Sequence, residues 1–148
     1  MTNAIEPLGV PSDGDLEVVV ELLALLGYEA TTEQVARRIA RMKADAGHEN
    51  WVVRGADADG EIVGLAGGQV MWGFNDDAPQ AQLILLVVRE GSHGVGIGSD
   101  LILHFEKWAR SHGASRFFAT SAAAVDSVSR FYARRGYHAA GLRFFKVG

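Results

Sequence analysis

The sequence predicts a mixed α/β (α+β) fold in which helices cover the faces of a central β-sheet. Two observations lead to it. Apolar residues at helical spacing alternate along the chain with short strand-like segments, and residues 82–88 form an almost continuous apolar run. Such a run is typical of a strand that is covered on both faces. The 148 residues are expected to form one domain spanning residues 1–148.

Local signals set the boundaries of the predicted elements. Ser12 with Asp15, and Thr31 with Gln34, match the capping box that begins a helix. The polar turn at residues 57–60 joins two strand-like segments, which predicts a β-hairpin. In order, the predicted elements are a strand at 4–8, helices at 13–26 and from Thr31 to near Gly47, strands at 51–54, 62–71 and 82–88, a helix ending at Gly113, a strand at 116–120, a helix at 126–135 and a final strand at 137–147.

Glycine is unusually frequent, at 18 of the 148 residues, against a usual share of about 7%. Gly67 and Gly68 lie inside a predicted strand, where they indicate a β-bulge or a close backbone approach. Four others cluster in the turn between the apolar run and the next helix: Gly91, Gly94, Gly96 and Gly98.

Composition and charge exclude several classes of protein. The formal net charge of -4 argues against a nucleic-acid-binding protein with a broad basic surface. No apolar run approaches the roughly 20 residues of a membrane span, and the first residues lack the pattern of a secretory signal, so we expect a cytoplasmic location. The absence of cysteine excludes a disulfide framework and a cysteine nucleophile. The five histidines lack the paired spacing of a metal site, and no metal is expected.

The glycine cluster fits neither of two common phosphate-binding loops. The dinucleotide fingerprint fails because Ser99 stands at its last glycine position, and the nucleotide P-loop fails because Ile97 replaces its lysine. What remains is a strand, a glycine-rich turn and a helix N-terminus, whose backbone amides are able to bind a diphosphate without a lysine. A tight strand-to-helix turn with no ligand is the alternative.

Two segments resemble a known family. Residues 86–99, which end in His-Gly-Val-Gly-Ile-Gly-Ser, are similar to the acyl-CoA-binding motif of the GNAT superfamily of N-acetyltransferases. Residues 131–137, Phe-Tyr-Ala-Arg-Arg-Gly-Tyr, resemble the Phe-Tyr-x-x-x-Gly-Phe signature of the same family. The resemblance implies a GNAT-like acyl-CoA N-acyltransferase fold, with a mixed, mostly antiparallel central sheet of six to seven strands and helices on both faces.

The resemblance assigns roles to individual residues. Leu86 and Val88 match the strand whose free backbone groups pair with the pantetheine arm of acetyl-CoA. The backbone amide of Val88 would also polarise the thioester carbonyl, and Tyr132 matches the tyrosine that protonates the departing thiolate. The diphosphate cradle is matched by His93, where the family prefers Gln or Arg, and by Gly94, Val95, Gly96, Ile97, Gly98 and Ser99.

Three further residues depart from the family pattern. Val125 replaces an asparagine that often contacts the cofactor. Gln82 and Thr120 stand where members of the family carry an acidic base, and neither side chain accepts a proton at neutral pH. Deprotonation of the amine is therefore expected to run through an ordered water, with Glu29 or Asp126 as an alternative base.

The expected activity is direct transfer of an acetyl group from acetyl-CoA to a primary amine of a small molecule, within a ternary complex. The alternatives are a protein N-terminal or lysine acetyltransferase and a non-catalytic acyl-CoA-binding regulatory module. Residues 142–147 are apolar at alternate positions, so that edge pairing into a homodimer is a further expectation. The residues expected on the acceptor side are Tyr28, Trp72, Phe74, Gln82 and Thr120.

Overall fold

A computed structural model of the chain describes residues 3–56, 60–92, 96–121 and 126–148. Within these residues, strands and helices alternate in the order that the sequence predicts up to the last helix. They are β1 (Ile5–Pro7), α1 (Asp13–Leu25), α2 (Thr32–Lys43), β2 (His48–Arg54), β3 (Ile62–Met71), β4 (Gln80–Val88), α3 (Ile97–Ser111), β5 (Arg116–Ala119) and α4 (Asp126–Ala133).

The described strands form one sheet in the order β1-β2-β3-β4-β5. The first four pair antiparallel, whereas β4 and β5 pair parallel. A parallel pair needs a crossover connection between its strands, and α3 provides it. The sheet is therefore mixed and mostly antiparallel, as expected.

Helices cover both faces of the sheet because side chains alternate along each strand. Val52 is fully buried in a core shared with α1 and α2. Its neighbours Trp51 and Val53 point to the other side and pack in a second core with α3, which contributes Phe105. The predicted covering of both faces is confirmed.

The capping boxes predicted for the first two helices are both present. The Ser12 hydroxyl accepts from the amide of Asp15, and the Thr31 hydroxyl accepts from the amide of Gln34. Arg54 of β2 adds a bidentate pair to the Asp15 carboxylate at 2.9 and 3.0 Å. The start of α1 is thereby tied to the sheet.

The glycine pair in β3 marks a bulge and a close approach together. The β3–β4 register shifts between Gly67 and Gly68, so that Ile84 is the extra residue on β4. A Cβ at Gly68 would lie 2.8 Å from Cδ1 of Phe105, closer than real Cβ contacts allow. Glycine is therefore required where α3 packs onto the sheet, and the prediction is confirmed.

The predicted count of six to seven strands is wrong for the described residues, which form five. The expected final strand at 137–147 does not form, and residues 137–148 have no regular secondary structure. An alternating apolar pattern is not sufficient for a strand, since each strand also needs a neighbour for its backbone groups. The segment instead leaves large side chains 76–88% exposed, namely Leu142, Phe144, Phe145 and Val147.

Candidate functional site

The central strand β4 separates from β5 halfway along its length. The parallel register ends at the pair Leu83 and Ala119, and β4 then continues to Val88 beside β3 alone among the described strands. A cavity of about 240 Å³ lies along the separated part. Its walls come from the loop after α1, from β4, from the end of β5 and from α4: Leu26, Tyr28, Leu83, Ile84, Leu85, Leu86, Thr120, Ser121, Val128, Phe131 and Tyr132.

Tyr132 lies on α4 at the wall of this cavity. Its ring is half-buried and packs edge-on against Phe131 and Tyr137, with centroid distances of 5.3 and 5.6 Å. Among the described residues its hydroxyl has no hydrogen-bond partner. Burial raises the pKa of this hydroxyl above its ordinary value, and the nearby Arg135 opposes part of that shift. Tyr132 is therefore a protonated donor at neutral pH and belongs to the cavity wall.

The N-terminus of α3 is built differently from those of α1 and α2. Its N-cap is Gly96, in the left-handed region at φ +79°, and no side chain caps the first turn. Ile97 is buried and anchors this turn to the core, whereas Gly98 faces α4. A Cβ at Gly98 would lie 3.1 Å from Cζ of Phe131, tighter than most real contacts. The geometry fits a diphosphate cradle, since the first-turn amides have no side-chain cap and lie beside the cavity wall.

Arg135 brings a positive charge to the same helix end. Its guanidinium stacks 3.7 Å from the centroid of the Phe131 ring. It also donates to the carbonyl of Phe131 at 2.5 Å and to the hydroxyl of Ser99 in the first turn of α3. Its Nε is buried and has no hydrogen-bond partner among the described residues. An anion at the start of α3 would therefore meet a helix N-terminus and a guanidinium together.

The two residues that replace an acidic base lie across the β4–β5 junction. Nε2 of Gln82 donates to the Thr120 hydroxyl at 3.1 Å, so the two side chains are held together. Thr120 lines the cavity. Glu29 is exposed and is absent from the described cavity wall. The side chain of Asp126, the other alternative base, lies outside the described part of the structure.

Some of the residues expected to bind ligands line the cavity. Leu86 lines it, and so does Tyr28, which is 53% exposed at the mouth. Val88 pairs with Gly64 at the end of β4, and its Cγ2 would lie 3.8 Å from a Cβ at Gly98. The strand and the cradle therefore meet at this point.

Other expected site residues lie elsewhere or outside the described residues. Trp72 and Phe74 follow β3, beyond the register pair of Met71 and Gln80, and both are strongly exposed. They do not appear in the described cavity wall, and their contact with an acceptor stays a prediction. His93, Gly94, Val95 and Val125 lie outside the described residues.

Several wall residues were not expected from the sequence. Val128 and Phe131 precede Tyr132 on α4 by four residues and one residue, and all three line the cavity. Helical spacing from Tyr132 is the signal that identifies Val128. Leu83 and Ile84 line the cavity because the bulge turns consecutive residues of β4 toward it, which the sequence did not show.

A larger cavity, of about 370 Å³, lies between the N-terminal loop and helices α1 and α2. Lys43 is its one ionisable wall residue in the described part of the chain, so it lacks the chemistry assembled around Tyr132. Among the described residues no group of three or more His, Cys, Asp or Glu is placed to hold a metal ion. No described helix is both long and apolar enough to cross a membrane.

Comparison with known proteins identifies the family. The Acetyltransferase (GNAT) family model matches residues 17–137. Similar solved structures include glucosamine-6-phosphate N-acetyltransferase from Arabidopsis thaliana, at 17% identity and a TM-score of 0.83 over 99% of both chains. A putative acetyltransferase from Agrobacterium tumefaciens is 22% identical, with a TM-score of 0.80 over 97% of this chain and 99% of its own.

An aminoglycoside antibiotic 6'-N-acetyltransferase from Acinetobacter baumannii is 17% identical, with a TM-score of 0.76 over 99% of both chains. These identities show a shared fold alone. Comparison with curated protein sequences gives no match. The family match covers most of the chain, including both motifs and the cavity wall from Leu26 to Tyr132, and the chain therefore belongs to the GNAT family of acetyltransferases.

Proposed function

We propose that this protein transfers an acetyl group from acetyl-CoA to a primary amine of a small molecule, by direct attack in a ternary complex. One observation carries the proposal: Tyr132 and the separated half of β4 line the same cavity. A proton donor thus faces a strand that has no second neighbour among the described strands. The proposal treats residues 1–148 as one catalytic domain in the cytoplasm.

Three parts of the chain would hold acetyl-CoA. The backbone of β4 around Leu86 and Val88 would pair with the pantetheine arm as an added strand does. The first turn of α3, from Gly96 to Ser99, would bind the diphosphate through its amides. Arg135 lies against Ser99 and adds charge there. His93, Gly94 and Val95 are proposed to complete this cradle.

In the proposed reaction, groups of the chain would donate hydrogen bonds and a proton to the thioester, and an ordered water would take the proton of the amine. Acetyl-CoA supplies the thioester that the amine attacks. The amide of Val88 would polarise the thioester carbonyl, and Tyr132 would give its proton to the leaving sulfur. Gln82 and Thr120, bonded to each other, are proposed to position the acceptor and an ordered water that takes the amine proton.

Isothermal titration with acetyl-CoA tests the cofactor half of the proposal. Gly98 and Gly14 each follow an N-cap by two residues, and they form a matched pair for substitution by alanine. A Cβ at Gly98 meets Phe131, whereas a Cβ at Gly14 meets only Ser12 at 3.9 Å. A Cβ at Gly98 forces Phe131 or the first turn of α3 to shift beside the proposed diphosphate site. We therefore expect Gly98→Ala to weaken binding at least about fivefold, which corresponds to about 1 kcal/mol of binding free energy, and Gly14→Ala to bind normally. No binding at millimolar acetyl-CoA would refute the proposal.

Thiol release with a panel of amines tests the catalytic half. Transfer to small amines supports the proposal, whereas transfer only to a peptide N-terminus or lysine would assign the protein to the alternative class. Tight binding of acetyl-CoA with no transfer to any acceptor would identify a non-catalytic regulatory module. Formation of a homodimer stays a prediction, and sedimentation at increasing protein concentration tests it.

A further inference from the structure

The described wall of the cavity around Tyr132 holds no charged side chain. Leucine, isoleucine, valine and aromatic side chains form most of it, and its polar side chains carry hydroxyls, beside the backbone groups of β4 that do not pair with β5. Of these side chains, Thr120 already accepts a hydrogen bond from Gln82, and Ser121 has an interaction partner. No charged residue belongs to the described wall.

A positive charge is in contact with this wall, since Arg135 stacks on the wall residue Phe131. Its guanidinium already supplies a cation to one face of the Phe131 ring. The positive end of the α3 dipole lies beside the same ring, since Gly98 packs against Phe131. Both features suit the phosphates of a nucleotide cofactor. Both disfavour a second ligand that carries positive charge.

An amine must reach the thioester without its proton. An ammonium group buried without a carboxylate partner loses its hydration with little compensation. Burial therefore shifts the amine toward its neutral form and sends the proton to bulk solvent. An acceptor with a single amine has to lose one positive charge when it enters the cavity. A polyamine or an aminoglycoside carries several positive charges that would have to be neutralised or buried.

From this wall and these charges we propose that the acceptor is an apolar monoamine, a primary amine on an aromatic or hydrocarbon group, which binds as the free base. The inference rests on the proposed function. The amine nitrogen bonds to the acetyl carbon, the carbon–sulfur bond breaks, and the sulfur takes the proton of Tyr132. The nitrogen then loses one proton through water, which restores the Tyr132 hydroxyl. The products are an N-acetylated amine and free CoA.

Acceptor selectivity tests this inference directly. With acetyl-CoA held constant, kcat/KM is measured by thiol release for 2-phenylethylamine, spermidine and kanamycin. We expect the value for 2-phenylethylamine to exceed those for both polycations at least about tenfold, because an unpaired buried charge costs about 1–3 kcal/mol or more. Faster transfer to spermidine or kanamycin would overturn the inference and leave the proposed function intact. No transfer to any amine would overturn both.

Two sets of variants sharpen the result. Thr120→Glu places a carboxylate in the cavity wall, and Thr120→Gln is its uncharged control of similar size. We expect Thr120→Glu to raise the spermidine to 2-phenylethylamine ratio of kcat/KM at least tenfold over Thr120→Gln. An unchanged ratio would contradict the electrostatic reasoning. Asp126→Asn tests the carboxylate whose side chain is not described: loss of transfer with intact acetyl-CoA binding would show that a carboxylate serves the acceptor, against the inference.

Discussion

Tyr132 and Tyr137 offer a paired experiment in which activity and stability respond to different hydroxyls. The two half-buried rings are in contact, at a centroid distance of 5.6 Å. Tyr132 lines the cavity, and its hydroxyl has no hydrogen-bond partner among the described residues. The Tyr137 hydroxyl donates to Oε2 of Glu106 at 2.8 Å and is absent from the described cavity wall. Phenylalanine at each position removes one oxygen and keeps the ring.

Tyr132→Phe is expected to lower turnover and leave the fold nearly unchanged. General acid catalysis contributes about 10²- to 10⁴-fold to a rate, which corresponds to about 3–5 kcal/mol of activation free energy. We therefore expect kcat to fall by at least about 100-fold, with little change in the dissociation constant of acetyl-CoA. The free energy of unfolding should change by less than about 1 kcal/mol, since no hydrogen bond is lost.

Tyr137→Phe is expected to lower stability and to leave turnover nearly unchanged. It removes the donor of a largely buried carboxylate, whose remaining partner Arg110 is 3.8 Å away. A hydrogen bond to a charged group contributes about 1.5–3 kcal/mol. We therefore expect Tyr137→Phe to lower the free energy of unfolding by about 1.5–3 kcal/mol and to leave kcat nearly normal at 25 °C. Thiol release gives kcat and KM, and urea unfolding followed by circular dichroism gives stability. The reasoning fails if the kcat of Tyr132→Phe stays within threefold of that of the unchanged protein. It also fails if folded Tyr137→Phe loses as much kcat as Tyr132→Phe does.

Three further predictions concern charge, packing and pH. Arg135→Met is expected to weaken acetyl-CoA binding about 5- to 100-fold by titration, because it removes a guanidinium held against Ser99; equal affinity in both proteins would exclude Arg135 from the cradle. Gly68→Ala is expected to cost about 1–3 kcal/mol in urea unfolding, because its Cβ would lie 2.8 Å from Phe105; unchanged stability would show that the ring moves freely. Burial raises the pKa of Tyr132, so its hydroxyl stays protonated above its ordinary pKa of about 10. At constant free-base acceptor, kcat should therefore show no alkaline decline below about pH 10, and a decline that Tyr132→Phe abolishes would contradict this.

Elements with strong local signals were predicted well from the sequence. The bounds of β3, Ile62–Met71, agree with the prediction, and both capping boxes are present. β2 begins earlier than predicted, at His48, because its first residues are polar and show no strand period. The strand predicted at 137–147 failed for a different reason: its pattern is local, whereas a strand depends on a partner that the pattern does not identify.

In the candidate site, too, residues within local motifs were predicted, whereas residues positioned by strand pairing or helix packing were missed. Tyr132 and Leu86 were found through motifs, and the structure places both on one cavity wall. Ile84 was missed because its position depends on a register shift between β3 and β4, which is a property of paired strands. Contacts between distant elements, such as that of Arg135 with Ser99, likewise depend on how α4 packs against α3.

The separation of β4 from β5 also bears on how the fold is completed. From Ile84 to Val88 the strand forms an edge inside the molecule, enclosed by α4 and the loop after α1. Edge strands at a surface attract other chains, whereas this edge lies along a cavity of about 240 Å³. Under the proposed function, the pantetheine arm of acetyl-CoA would pair with this edge in the way that an added strand does. Ligand at about 100 times its dissociation constant would add about 2.7 kcal/mol to the free energy of unfolding, so that substrate supply and the lifetime of the folded chain are linked.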